Sequence, residues 1–504
     1  MGDQENHPAE PSSNNEPLET TPLFPTPNAQ TKPYSAFTKT QKRLIVATAA
    51  LAATFSPLSA NIYFPALNSI AKDLNVSPSQ INLTITTYMI FQGLAPTFTG
   101  SFADQAGRRP AYIFCFAIYI SGNICLALQH WFSVLLLLRA VQSCGSSGTV
   151  ALASAVTADI VTAAERGTYM GLASLSNILA PSLGPIAGGL LSQYLGWQAI
   201  FWFLAILSSV FFIPWLLFFP ETCRNVVGDG SIPPGGWNRS LMNCLGSSRS
   251  CPDVRRENFI LQRSDRRFSV PSPWSSLKLI FQLPVGVVLL VNGLVFGSYY
   301  AITAGIPAHF ATTYHLNDLQ VGLCYIPAGL GSLFSATVNG KLVDWNYKRF
   351  LATSQQLPDS SERHDLNVFP IERVRLQIGF PMTILSSAGI ALYGILAGQN
   401  SSLWVVLLMV FFVCFCITAA YNVMNVLITD LYYETPATAM AANNLVRCFI
   451  GAGAAAIINP LIDRLGIQCT YCIVSGVVIT ASPLLILVYR KGEDWRRARS
   501  EQSI

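Results

Sequence analysis

The chain has 504 residues, of which 51% are hydrophobic and only 11% charged, whereas a soluble globular chain carries about 25% charged residues. That deficit excludes a soluble domain and implies a protein that lives in a bilayer. The formal charge of +5 is spread in short Lys/Arg groups beside apolar runs, which excludes a nucleic-acid surface and fits anchoring at a membrane edge.

Residues 1–42 are rich in Pro, Ser, Thr, Asn and Glu and read as a disordered cytoplasmic tail. No apolar core follows a basic start, so they do not form a signal peptide. A membrane-crossing helix needs about 20 apolar residues, and the chain offers twelve such runs: 44–66, 82–103, 111–130, 132–158, 168–193, 198–219, 284–308, 320–343, 376–397, 403–429, 437–462 and 469–489. The polar stretch between the sixth and seventh divides the chain into an N-terminal six-helix half, 43–220, a cytoplasmic linker, 221–283, and a C-terminal half, 284–490, followed by a tail, 491–504. With the N-terminus inside, the outer loops hold only Lys72 and Arg464 of the 31 Lys and Arg, so both termini are expected in the cytoplasm.

The second and third spans are joined by Gly100-Ser-Phe-Ala-Asp104-Gln-Ala-Gly107-Arg108-Arg109-Pro110. Glycine permits close helix approach, Asp favours a helix N-terminus and paired cations remain at the lipid surface. Gly340-Lys-Leu-Val-Asp344-Trp-Asn-Tyr-Lys348-Arg349 repeats the spacing in the second half. Thr157-Ala-Asp159 is echoed by Ile428-Thr429-Asp430, and Leu195-Gly196 by Leu465-Gly466. These pairs read as two parallel repeats of one bundle, the second carrying a long cytoplasmic loop at 344–375. Asp104, Arg108, Arg109, Asp344, Lys348 and Arg349 are the candidate gating residues.

Candidate substrate-binding residues lie deeper. Arg139 and Gln142 share one face of span 4, and Arg447, with Asn444, lies near mid-membrane in span 11; an arginine at such depth faces a cavity or a partner, because insertion costs about 2.5–3.5 kcal/mol. Asn292, Asn422 and Asn425 add hydrogen-bonding groups, either to the cavity or between helices. Span 5 carries Gly184-Pro185-Ile-Ala-Gly188-Gly189, which implies a bent and closely packed helix. Of the twelve cysteines only Cys469 and Cys472 form a CxxC, without a second pair or His nearby. No metal or cofactor is expected, and the five scattered His with no intramembrane carboxylate pair speak against an enzyme.

These motifs carry a resemblance. Gly100-to-Pro110 resembles the cytoplasmic loop signature of the major facilitator superfamily, Arg139-to-Gly145 its proton-coupling arginine motif, and Gly184-Pro-x-x-Gly-Gly189 its antiporter signature. Pro57-Leu-Ser-Ala-Asn-Ile-Tyr63-Phe-Pro65 and Ala441-Ala-Asn443-Asn444-Leu-Val-Arg447-Cys448 resemble the twelve-span drug:proton antiporters of fungi, which include quinidine-type drug, polyamine and citrate exporters. Ala180 and Tyr347 depart from the signatures, at a usual span 5 glycine and at the second-copy match of Gly107. The resemblance implies an all-α integral membrane fold of two pseudo-symmetric six-helix halves. It also implies proton-coupled alternating access that exports a small organic solute, as a monomer in the plasma membrane. An uptake symporter and an exporter of cationic drugs or polyamines are the alternatives. The absence of Asp and Glu from the interiors of spans 1, 2, 7 and 8, against two deep arginines, favours an organic acid as cargo.

Overall fold

The computed structural model describes residues 35–161, 166–228, 234–240, 278–353, 370–399, 401–432 and 436–502, with positions 2, 230 and 232 besides; of 166–179, 236, 284, 351–353, 436–437 and 497–502 only the backbone is described. Most of the expected tail 1–42, the linker arginines around Arg263 and half of the 344–375 loop lie outside the described residues.

Every long element is a helix. The first half comprises α1 (Lys39–Asn61), a 3-10 turn (Phe64–Ala66), α2 (Leu67–Asp73), α3 (Pro78–Ala106), α4 (Arg108–Leu128), α5 (Phe132–Ile160), α6 (Arg166–Leu195) and α7 (Gln198–Phe218). A short α8 (Arg224–Val227) follows. The second half comprises α9 (Leu283–Thr313), α10 (Asp318–Leu323), α11 (Ile326–Thr353), α12 (Ile371–Gly398), α13 (Leu403–Leu431), α14 (Pro436–Ala481) and α15 (Pro483–Gln502). Nine stretches of the described residues are apolar and long enough to cross a membrane. One of them, Thr438–Arg496, contains two crossings, because the chain reverses at Gly466 with φ 78°. With α3 and α6 the crossings number twelve, as expected.

Local chemistry starts and stops these helices. Thr38, Ser77 and Asn317 close capping boxes with Gln41, Gln80 and Gln320 at α1, α3 and α10. Gly196 and Gly466, paired by their sequence surroundings, both take positive φ, 84° and 78°, so the echo between the halves is also a backbone echo. Within the halves α5 packs on α1, α3 and α4, and α14 packs on α9 and α12. Gly145 shows how close this is: a Cβ there would lie 2.6 Å from the Tyr119 backbone nitrogen. The halves meet through α3 against α14 and through α6 against α10 and α11.

Three expectations need correction, and one expected tail gains structure. The stretch around Gly340 is not a turn, since α11 runs unbroken to Thr353. Gly100 and Gly340 are not close-approach sites, because a Cβ at either meets open space. Asp104 lies near the C-terminal end of α3 rather than at a helix N-terminus, where the macrodipole opposes it and Arg108 compensates. The stretch 491–504 begins as helix, held by an ion pair of 3.1 Å between Arg496 and the buried Glu372.

Candidate functional site

Three groups of side chains follow from this packing. The first is built around Arg139, which α5 buries to 1% exposure. Its guanidinium carbon sits 4.2 Å from the Tyr63 ring centroid and 4.4 Å from that of Tyr88, so two aromatic faces from α1's end and α3 take up its charge. Arg139 Nη1 donates to Gln142 Oε1 at 2.6 Å, and Gln142 Nε2 donates to Asn123 Oδ1 at 2.7 Å. Both tyrosine hydroxyls are held in turn: Tyr88 donates to the Ser56 carbonyl and pairs with Ser146, while Tyr63 accepts from Thr84. The pair expected on one face of span 4 is therefore present, embedded in a chain of neutral partners.

The second group is the counterpart in the other half. Arg447 on α14 donates through Nε and Nη2 to Asn444 Oδ1, at 3.0 and 2.7 Å, and through Nη1 to the Tyr421 hydroxyl at 2.8 Å. The Phe296 ring lies 4.8 Å from its guanidinium carbon. Beside it, Asn292 donates to Asn425 and to Asn443, and Asn443 donates to Asn425, all within 2.8–2.9 Å. These amides tie α9, α13 and α14 together, which is the helix-joining role left open for them. Asn443 was not among the expected site residues, although it shares a face with Arg447, four residues on. Asn422 joins neither group among the described residues. Neither arginine has a carboxylate partner among them, so the region keeps two positive charges.

The third group is the turn between α3 and α4. Arg108 is buried and pairs with Asp159 at 2.8 Å and with Asp104 at 2.5 Å. Arg109, also buried, donates to the carbonyls of Phe219 and Leu216 at the end of α7. These cations tie the turn to its own half rather than standing in water. Glu221 completes the turn by accepting the backbone N–H groups of Arg108, Arg109, Thr222 and Cys223 at 2.8–3.0 Å. Its burial pushes the carboxyl up from the ordinary range against the pull of those donors. Gly107, at φ 117°, allows this closeness, since a Cβ there would lie 2.5 Å from Glu221 Oε2. The start of the linker is thus a clasp on the turn.

In the second half the equivalent cation is not where it was expected. Asp344 and Lys348 are exposed on the end of α11, and Arg349 lies 5.5 Å from the Trp345 ring. Arg375, in the first turns of α12, pairs instead with Asp430 at 3.0 Å, as Arg108 pairs with Asp159. The echo of Asp159 in Asp430 holds; the cation has moved from the loop into the following helix.

The glycine signature of α6 packs closely on two sides, Gly184 and Gly188 against the end of α1 in their own half and Gly189 against α10 of the other. A Cβ on Gly188 would fall 1.8 Å from the Ile62 carbonyl oxygen, and one on Gly189 would fall 2.6 Å from that of Asp318. Gly184 faces Asn61, and the Pro185 carbonyl oxygen lies 2.5 Å from where a Gly322 Cβ would be. At the same end Asp318 Oδ2 accepts from Ser69 and Ser192 at 2.5 Å each, and Asn68 donates to the Pro307 carbonyl at 2.7 Å. Phe64, fully buried, stacks on Tyr325 at 5.8 Å. Asn82, which falls in a glycosylation sequon, is likewise buried here and donates to the Ala455 carbonyl.

Comparison with known proteins agrees with this architecture. The family described as Major Facilitator Superfamily matches residues 49–456. The chain is 44% identical to the MFS-type transporter phiD of Fungal sp. over 93% of this chain and 71% of that one. It is 42% identical to the MFS-type transporter tstD of Talaromyces stipitatus, over 94% and 86%. Citrate exporter 1 of Aspergillus niger is 33% identical over 94% and 90%. Among solved structures the human organic anion transporter MFSD10 superposes with a TM-score of 0.55, covering 88% of this chain and 99% of that one at 16% identity. A POT family transporter in complex with 5-aminolevulinic acid gives 0.61, covering 89% and 96% at 15% identity.

Proposed function

The chain belongs to the Major Facilitator Superfamily, and we propose that it exports a small organic acid, or an acidic secondary metabolite, by proton-coupled alternating access. It is a multi-pass membrane transporter and not an enzyme. The observation that carries the reading is the pair of arginines, one in each half, held by amides, hydroxyls and ring faces without a carboxylate among the described residues. A visiting carboxylate offers two acceptor oxygens to a guanidinium and neutralises charge that the protein leaves standing.

The same geometry argues against a cationic cargo. Of Tyr63, Tyr88 and Tyr299, the rings whose faces could receive a cation, Tyr63 and Tyr88 already hold Arg139 between them. Arg139 is enclosed, so its role is assigned to proton coupling, and Arg447, half-buried beside Tyr421, is assigned to the cargo. The glycine contacts between α6 and α10, with Asp318, close one end of the inter-half path. With both termini cytoplasmic in the plasma membrane, that end is the outer one and the arrangement has its outer gate shut.

Transport assays in vesicles test this. Arg447→Ala is expected to abolish proton-driven movement of a di- or tricarboxylate, while Arg447→Lys retains part of it. Unchanged acid transport in Arg447→Ala, or robust transport of a polyamine, would overturn the proposal.

A further inference from the structure

A groove among the described residues is left unused by the transport reading. It lies between α12 and α15, has a volume of about 280 Å³, and is lined by Leu376, Phe380 and Ile486, with Gln377 and Arg490 at one end. Each of these helices carries a proline near it. Pro381, in its wall, brings no N–H to the carbonyl of Gln377 four residues earlier. On the other side α15 starts afresh at Pro483, after Ser482 turns its N–H back to Val478 and Ile479.

Its surroundings decide what fills it. Both α12 and α15 pack on helices of their own half, and Gln377, Pro381, Ile486 and Arg490 are exposed, so the groove opens toward the bilayer rather than toward the central path. An apolar slot there takes a hydrocarbon chain. Arg490 forms no ion pair among the described residues. Lys491 is exposed beside it, and Arg373 has only a loose contact, 3.8 Å, with Glu493. The polar end is thus cationic on balance and lies at the membrane edge where the chain's basic residues gather.

We propose that this groove is a binding site for one anionic phospholipid, its acyl chain along Phe380 and Ile486 and its net-negative headgroup on Arg490. The site stands apart from the transport path and does not depend on what the protein carries.

Native mass spectrometry of the full-length protein tests this, in micelles containing phosphatidylserine and phosphatidylcholine with identical chains. The wild type is expected to retain one phosphatidylserine in preference. Arg490→Gln is expected to reduce that preference about five-fold, the equivalent of about 1 kcal/mol for one cation near a lipid surface, while Lys491→Gln reduces it less. Ile486→Trp, which fills the slot, is expected to lower retention of both lipids in a protein that remains monodisperse. Equal retention of the two headgroups by the wild type would overturn the site, as would equal losses from Arg490→Gln and Lys491→Gln, or full retention in Ile486→Trp. Displacement of the lipid by excess inorganic phosphate would assign the cation to a soluble anion and also overturn it.

Discussion

Arg108 and Arg139 show that a buried arginine in this protein is read from its partners rather than its depth. Arg108 has two carboxylates, but the Asp159 side chain is 10% exposed and that of Asp104 58%, so water screens the second pair far more than the first. Asp159→Asn is therefore expected to slow transport much more than Asp104→Asn at equal surface expression; equal rates in the two variants would refute the ranking. Arg139 depends on shape as well as charge. A lysine reaches one acceptor as a point charge, but it has no plane to lie between the Tyr63 and Tyr88 rings while donating to Gln142. Arg139→Lys is expected to insert normally and to lose at least about ten-fold in proton-driven transport, equivalent to about 1.4 kcal/mol; near-normal transport would show that charge alone suffices.

At the scale of the element, the clasp formed by the start of the linker is the part that sequence reading treats as a mere connector. Glu221 satisfies the first N–H groups of α4, which no helix can satisfy internally. Glu221→Ala leaves four buried donors unpaired, each costing about 1–3 kcal/mol, so a lowered thermal unfolding midpoint is expected; an unchanged midpoint would show the clasp to be dispensable. The apolar runs and the paired glycines Gly196 and Gly466 were legible in the sequence because helix length and positive φ are local demands. The second signature turn was misread for a physical reason. Spacing alone does not distinguish Asp344 on an exposed helix end from Asp104 at a turn, and the cation that pairs with Asp430 is Arg375, across a long insertion. The Tyr63 and Tyr88 sandwich and the Asn443 amide were not legible either, since they depend on which faces of separate helices meet.

For the whole molecule, the exchange between two accessible sides depends on how firmly the halves hold at the sealed end. The glycine contacts of α6 bring backbones together, but they have no directional bond to release, and they set how close α1, α6 and α10 lie. Asp318 is different: one carboxylate oxygen from the second half receives hydroxyls from both α2 and α6 of the first. Charge-assisted hydrogen bonds of this kind are roughly twice as strong as neutral ones, and separation of the halves must break both together. Asp318→Ala is therefore expected to shift the population toward the state open at this end. Asn459 reports on it, being 4% exposed and bonded to the Pro78 carbonyl across the same seam. In a background with the exposed Cys125, Cys469 and Cys472 changed to serine, a cysteine substituted for Asn459 is expected to react several-fold faster with a membrane-impermeant maleimide applied from the sealed side when Asp318 is alanine. The double change Ser69→Ala and Ser192→Ala is expected to do the same with the carboxylate still present, which separates loss of the latch from loss of a charge. Unchanged labelling in both backgrounds would place the seal in the glycine contacts alone.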